Sequence, residues 1–426
     1  PGFVSVALVG HLDSPYTKEY VDAAAFSMIF LNLSATSIGF GLASALDTLG
    51  PQAVGARKLE MLGVYFHCAL IILGLAIVPM MVLNYNASWI LLKVHIDEYV
   101  AQLSGEYSQV TMWMLPPLFL YEIIKKTLQA NEIVNPMMYI ATISNISYCV
   151  VGYIFCYHTN LGFLGAAYAR VLSNSMLLFL ALIYLQWNPV YREWWPEGIF
   201  THWSRSLSYL WEYTRFGIPA LLMLLMESWA FEVSEFMSGW LPNAVVATSV
   251  HSGLISIAAF VYSLFLGISV ATSIRVGNSI GEKAPDEAKT IAIASYIITF
   301  VSSVVIVIIF YATRSFLPTL FINDPISIAN ASYVLGFVAI FEMTDAMSAV
   351  AQGICRGLGW QSIGAIVNAI AYYVIGIPLG AVFGFWLQLG VEGLWIGLTI
   401  GVLTGFITFT IVLTRANWSA ITSVAQ

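Results

Sequence analysis

The chain has 426 residues, 59% of them hydrophobic and 9% charged, with a formal net charge of -7 and a mean hydropathy of +0.83. Soluble domains carry about 25% charged residues, so this composition excludes a chain whose surface is solvated by water and points to one body embedded in a bilayer. Basic residues form no cluster larger than the pairs Arg57-Lys58 and Lys125-Lys126, which excludes a nucleic-acid footprint.

A helix crosses a bilayer with ~20 apolar residues, and such runs follow one another along the chain, separated by short polar, Gly or Pro breaks. The opening run ends near residue 12 and reads as the tail of a helix whose start is missing. Further spans are expected at 22–45, 61–83, 107–129, 136–157 and 162–187, and then at 210–239, 246–274, 288–312, 326–354, 362–385 and 392–414. The expected fold is an all-α integral membrane protein with twelve transmembrane helices. The polar, Trp-rich break at 188–206, which holds Trp194 and Trp195, reads as a linker along the cytoplasmic interface. It divides an N-terminal lobe, 1–187, from a C-terminal lobe, 207–426. With both termini cytoplasmic, twelve Lys and Arg residues fall in cytoplasmic loops or helix ends and three (Lys18, Lys93 and Arg314) fall outside, as the positive-inside rule requires.

A faint internal repeat runs at an offset of 226–228 residues. Gln52-Ala53-Val54-Gly55 matches Asn278-Ser279-Ile280-Gly281, and Leu161-Gly162-Phe163-Leu164-Gly165 matches Leu389-Gly390-Val391-Glu392-Gly393. Two six-helix halves of like orientation follow, related by a pseudo-two-fold axis along the membrane normal with a cavity between them.

Ionisable groups inside a span are costly and mark function by default. The span at 210–239 carries Glu227, Glu232 and Glu235, and the span at 326–354 carries Glu342 and Asp345. At about 100° per residue, Glu232 lies about 140° and Glu235 about 80° around the helix from Glu227, so one broad face can present all three. Burial and like-charge repulsion disfavour the ionised form, so these acids are expected to hold and exchange protons. The alternative for each is a hydrogen bond that only joins helices, and Glu235 and Glu342, read as lying near helix ends, suit that role. Asp47 reads as a helix-end or interlobe contact. Arg170, inside the span at 162–187, must be neutralised. Either Glu122 pairs with it, or it forms an anion-attracting spot in the N-terminal half of the cavity, opposite the acidic half. Cys68, Cys149, Cys156 and Cys355 show no CxxC spacing and read as packing residues.

The stretch Ser44-Ala45-Leu46-Asp47-Thr48-Leu49-Gly50-Pro51-Gln52-Ala53-Val54-Gly55-Ala56 resembles a signature of eukaryotic multidrug and toxic compound extrusion (MATE) transporters. Met226-Glu227-Ser228-Trp229-Ala230-Phe231-Glu232, Arg275-Val276-Gly277-Asn278-Ser279-Ile280-Gly281 and Arg356-Gly357-Leu358-Gly359-Trp360-Gln361 resemble further motifs of that family, in the same order. So do Asn368, Tyr372-Tyr373 and Gly376-Ile377-Pro378. The chain differs from the common family pattern at Gly50-Pro51, and at Ser256, where many animal members carry a carboxylate.

The resemblance implies a proton-coupled antiporter that exports drugs, toxins or secondary metabolites by alternating access, with Glu227, Glu232 and Asp345 binding protons. Trp229, Phe231, Tyr372 and Tyr373 neighbour these motif residues and can stack on a planar or cationic solute; with Asn368 and Arg170 they form the expected substrate-binding set. The competing readings are a superfamily flippase, a sodium-coupled exporter or a channel. An enzyme is not expected: there is no HExxH, and His11, His67, His95, His158, His202 and His251 are dispersed. His251 reads as a packing residue more than a proton relay. No cofactor is expected. The expected partners are protons, a small organic solute and the bilayer, with the chain a monomer in the plasma or vacuolar membrane of a eukaryotic cell.

Overall fold

A computed structural model describes the chain except residues 1, 13, 95, 197, 199–202, 323, 425 and 426. Part of the expected linker (197 and 199–202), together with His95 and His202, lies outside the described residues. The described residues form helices and no strand, because within a bilayer every backbone polar group must find its partner inside its own segment.

The helices are α1 (Gly2–Gly10), α2 (Thr17–Gly55), α3 (Leu59–Tyr85), α4 (Ala87–Lys93) and α5 (98–130, with a 3₁₀ turn at Met112–Met114). There follow α6 (Asn135–Tyr157), α7 (Phe163–Trp187), α8 (Tyr191–Trp194), α9 (Trp203–Ser238), α10 (Ala244–Gly281) and α11 (Pro285–Thr313). The last are α12 (Pro325–Leu358), α13 (Gln361–Trp386), α14 (Val391–Thr414) and α15 (Trp418–Val424). Ten of these are long and apolar enough to cross a membrane. With α1 and α5 they fill the twelve expected places. Polar ends continue the helices past the apolar runs: α2 extends to Gly55 and α9 begins at Trp203.

The helices group into two compact units, the first of residues 1–46 and 58–217 and the second of 47–57 and 218–426. Residues 47–57 close the end of α12. A helix leaves its last carbonyls without intrahelical donors, and here Thr48 Oγ1 donates to Arg356 O at 2.5 Å and Gln52 Nε2 to Gly357 O at 2.9 Å. Gly359, in the left-handed region at φ 78°, then ends the helix.

The repeat seen in sequence recurs in backbone geometry within each unit. Gly162 and Gly390, each the residue before a helix, both have positive φ, 49° and 63°. Three residues on, a Cβ on Gly165 would lie 2.6 Å from the carbonyl carbon of Phe155, and one on Gly393 would lie 2.5 Å from that of Phe383. The tryptophans of the 188–206 segment turn inward. Trp194 and Trp195 are buried in the first unit, where Gly63 lets α3 approach them and the Trp195 ring stacks on His67 at 5.2 Å. Cys149 is exposed, unlike the other three cysteines, so it is not a packing residue.

Candidate functional site

The second unit gathers its acids where α9, α10, α12 and α13 meet. Glu227, on α9, is 6% exposed and Asp345, on α12, is 3% exposed, and the two carboxyls lie close enough to act on one another electrostatically. Gln352 follows Asp345 by seven residues, two turns along the same face of α12. Its Nε2 donates to Glu227 Oε2 at 3.2 Å, while its Oε1 accepts from Asn368 Nδ2 at 3.1 Å. Asn368 Nδ2 also donates to Met223 O at 3.0 Å. The Tyr262 phenol, on α10, is hydrogen-bonded to Glu227 and lies within electrostatic reach of Asp345. Asn368 thus holds the Gln352 amide by its oxygen and leaves the Gln352 N–H to donate to Glu227.

Aromatic rings wall the cluster. In α13 the helix widens into a π-helical stretch at Ala369–Gly376, which holds Tyr372 and Tyr373; such widenings are frequent at functional sites. Tyr372 is buried within electrostatic reach of Glu227 and Asp345. Phe231 packs against Tyr372 and Phe341 with centroid distances of 6.3 and 5.9 Å.

The expected site residues divide accordingly. Glu227, Asp345, Asn368, Tyr372 and Phe231 come together, and Tyr373, half-buried, packs against the same apolar cluster. Glu232 is half-buried on α9 and faces Glu235 electrostatically. Trp229 is 41% exposed and lies about 200° around α9 from Glu227, so the fold does not bring it to the cluster. Glu235 accepts a hydrogen bond from Ser252, which joins α9 to α10. Glu342 departs from its expected structural role: it sits mid-helix, 1% exposed, and neither carboxyl oxygen has a hydrogen-bond partner. His251 is buried, its Nε2 3.1 Å from Ser234 Oγ and its ring 5.4 Å from Trp395, as suits a packing residue. Sequence reasoning missed Gln352 and Tyr262. The two-turn spacing from Asp345 was the available signal for Gln352; no pattern marks Tyr262 among 22 tyrosines.

In the first unit Glu122 does not serve Arg170. It pairs instead with Lys125 at 2.5 Å and Lys126 at 3.8 Å on its own helix, because the i, i+3 and i, i+4 positions place those ammonium groups beside it.

A helical body with ten segments long and apolar enough to cross a membrane, and with acids buried in one of its units, is an integral membrane protein that keeps ionisable groups inside its helical core. The MatE family model matches residues 2–154 and 219–382. The chain is 33% identical to multidrug and toxin extrusion protein 1 of Oryctolagus cuniculus over 98% of its own length and 72% of that protein. It is 32% identical to Protein DETOXIFICATION 17 of Arabidopsis thaliana over 97% and 86% of the two chains. Its fold matches the crystal structure of the eukaryotic MATE transporter AtDTX14 with a TM-score of 0.92, at 28% identity, over 100% and 93% of the chains. The chain belongs to the MATE family of transporters.

Proposed function

We propose that the chain exports small organic solutes across a eukaryotic plasma or vacuolar membrane in exchange for protons, by alternating access, working as a monomer. Export of organic solutes rests on family membership. Proton exchange rests on one observation: Glu227 and Asp345 are buried together within one unit, with Gln352 and Tyr262 held against Glu227.

Ionisation of one member of that pair changes the local charge by one unit and so favours a different hydration and helix packing. A solute shifts that equilibrium only by its differential affinity for the two states, whether it competes for the carboxyl or favours the alternate packing. Phe231, Tyr372 and Tyr373 offer stacking faces beside the acids, and Asn368 secures the Gln352 amide. Glu232, farther along α9, serves as an additional protonatable group. In proteoliposomes, an imposed pH gradient should drive flux of members of a panel of cationic and anionic organic solutes, and a sodium gradient should not. Glu227→Gln should abolish the pH-driven flux. Equal flux under a sodium gradient, or full flux in the variant, rejects the proposal.

A further inference from the structure

Arg170 places a guanidinium inside the first unit, and the acid expected to neutralise it is held by lysines. No carboxylate among the described residues pairs with Arg170, and its buried Nη1 has no hydrogen-bond partner. Arg170 stands seven residues into α7, about 10 Å from the end of the helix, and its charge acts on the phenols of Tyr107 and Tyr148. Tyr148 is hydrogen-bonded to Ser5, whose hydroxyl also faces Tyr107. Four helices, α1, α5, α6 and α7, therefore converge hydroxyl groups and one cation on a single place. The Ser5, Tyr107 and Tyr148 hydroxyls can each donate a hydrogen bond.

The surroundings also provide an apolar platform. The Tyr107 ring lies 5.3 Å from Phe163, and Phe163 in turn stacks on Tyr20 at 4.9 Å. Arg170 is half-buried: its Nη1 is enclosed, and the exposed part of the side chain lies elsewhere along it. A desolvated cation without a counterion is costly, and the planar guanidinium fork matches a carboxylate with two parallel hydrogen bonds.

We propose that Arg170, with Ser5, Tyr107 and Tyr148, forms a binding site in the first unit for aromatic organic carboxylates. The proposal deepens the export reading by assigning a solute class, and it rests on that reading only for the carboxylate being a transported solute. Binding itself is read without any gradient, so failure of proton coupling leaves the test standing.

Radiolabelled benzoate, with benzylamine as the cationic counterpart of the same shape, is titrated against the purified full chain in detergent. The wild-type chain should bind benzoate in preference to benzylamine. Arg170→Gln should weaken benzoate binding by about tenfold or more, the scale of a charge-assisted hydrogen-bond pair. Arg170→Lys, which keeps the charge and loses the fork, should fall between the two. Should Arg170→Gln aggregate, Tyr107→Phe provides the second reading, with a loss of a few-fold, the scale of one hydrogen bond. No benzoate binding by the wild-type chain, or unchanged binding in whichever of Arg170→Gln and Tyr107→Phe remains folded, overturns the proposal.

Discussion

The two units solve the problem of a buried charge with opposite chemistry on a repeated backbone. Each opens a helix after a positive-φ glycine, Gly162 or Gly390, and each uses a second glycine three residues later to admit the preceding helix closely. Within that shared frame the second unit buries Glu227 and Asp345 among amides and phenols, while the first surrounds Arg170 with tyrosines and a serine. The glycines fix backbone geometry, and single side chains within the helices give each unit its charged group.

The largest expected break in this comparison is Asp345→Asn. It keeps the shape of the side chain and removes the ionisable partner of Glu227, so pH-gradient-driven flux in proteoliposomes should fall by roughly tenfold or more, the factor matching ~1.4 kcal/mol of lost differential binding. The corresponding change in the first unit, Arg170→Gln, should leave a proton-coupled flux of cationic solutes in place.

The shared frame can be tested by breaking it twice. A leucine at Gly165 or at Gly393 must displace backbone atoms 2.6 or 2.5 Å from its Cβ, and overpacking of this kind costs ~1–3 kcal/mol. Both variants should lose thermal stability by similar amounts in detergent; a loss confined to one would show that the repeat does not carry equal structural weight in the two units.

A smaller effect separates the acid pair from its scaffold. Asn368→Leu removes the donor to Gln352 Oε1 and Met223 O, leaving buried acceptors unmet at a cost of ~1–3 kcal/mol. The thermal midpoint should fall and pH-driven flux should decline partially, by less than in Asp345→Asn.

The smallest effect lies outside the membrane. The Ser327 hydroxyl and backbone N–H, both 2.8 Å from Asp324 Oδ2, hold that carboxyl below the ordinary carboxylate range. Its contribution to stability is therefore present above the ordinary value and is lost as pH falls through the lower folded one. Asp324→Ala should lower the thermal midpoint at neutral pH, and the difference from the wild-type chain should vanish in strong acid.

Much of this organisation was legible in the sequence, because bilayer spans are written as long apolar runs and buried acids stand out against them. Glu227 and Asp345 could be found because each is an ion in an apolar stretch. Partners were harder to find. Gln352 carries no charge, Tyr262 is one tyrosine among many, and Glu122, one of the two alternatives for Arg170, is held by lysines three and four residues away on its own helix. Trp229 shows that motif adjacency says nothing about helix face: two residues from Glu227 is the opposite side of α9. The interior position of the linker tryptophans follows from packing on Gly63 and His67, contacts distant in sequence.

The central claim concerns protons, so the most direct measurement follows them. In proteoliposomes containing a pH-sensitive dye, adding a transported solute to the wild-type protein should dissipate an imposed pH gradient in proportion to the solute moved. With Glu227→Gln and Asp345→Asn combined, solute-for-solute exchange should persist while that dissipation disappears. Proton movement with solute at the wild-type ratio in the double variant would contradict the assignment of the acid pair.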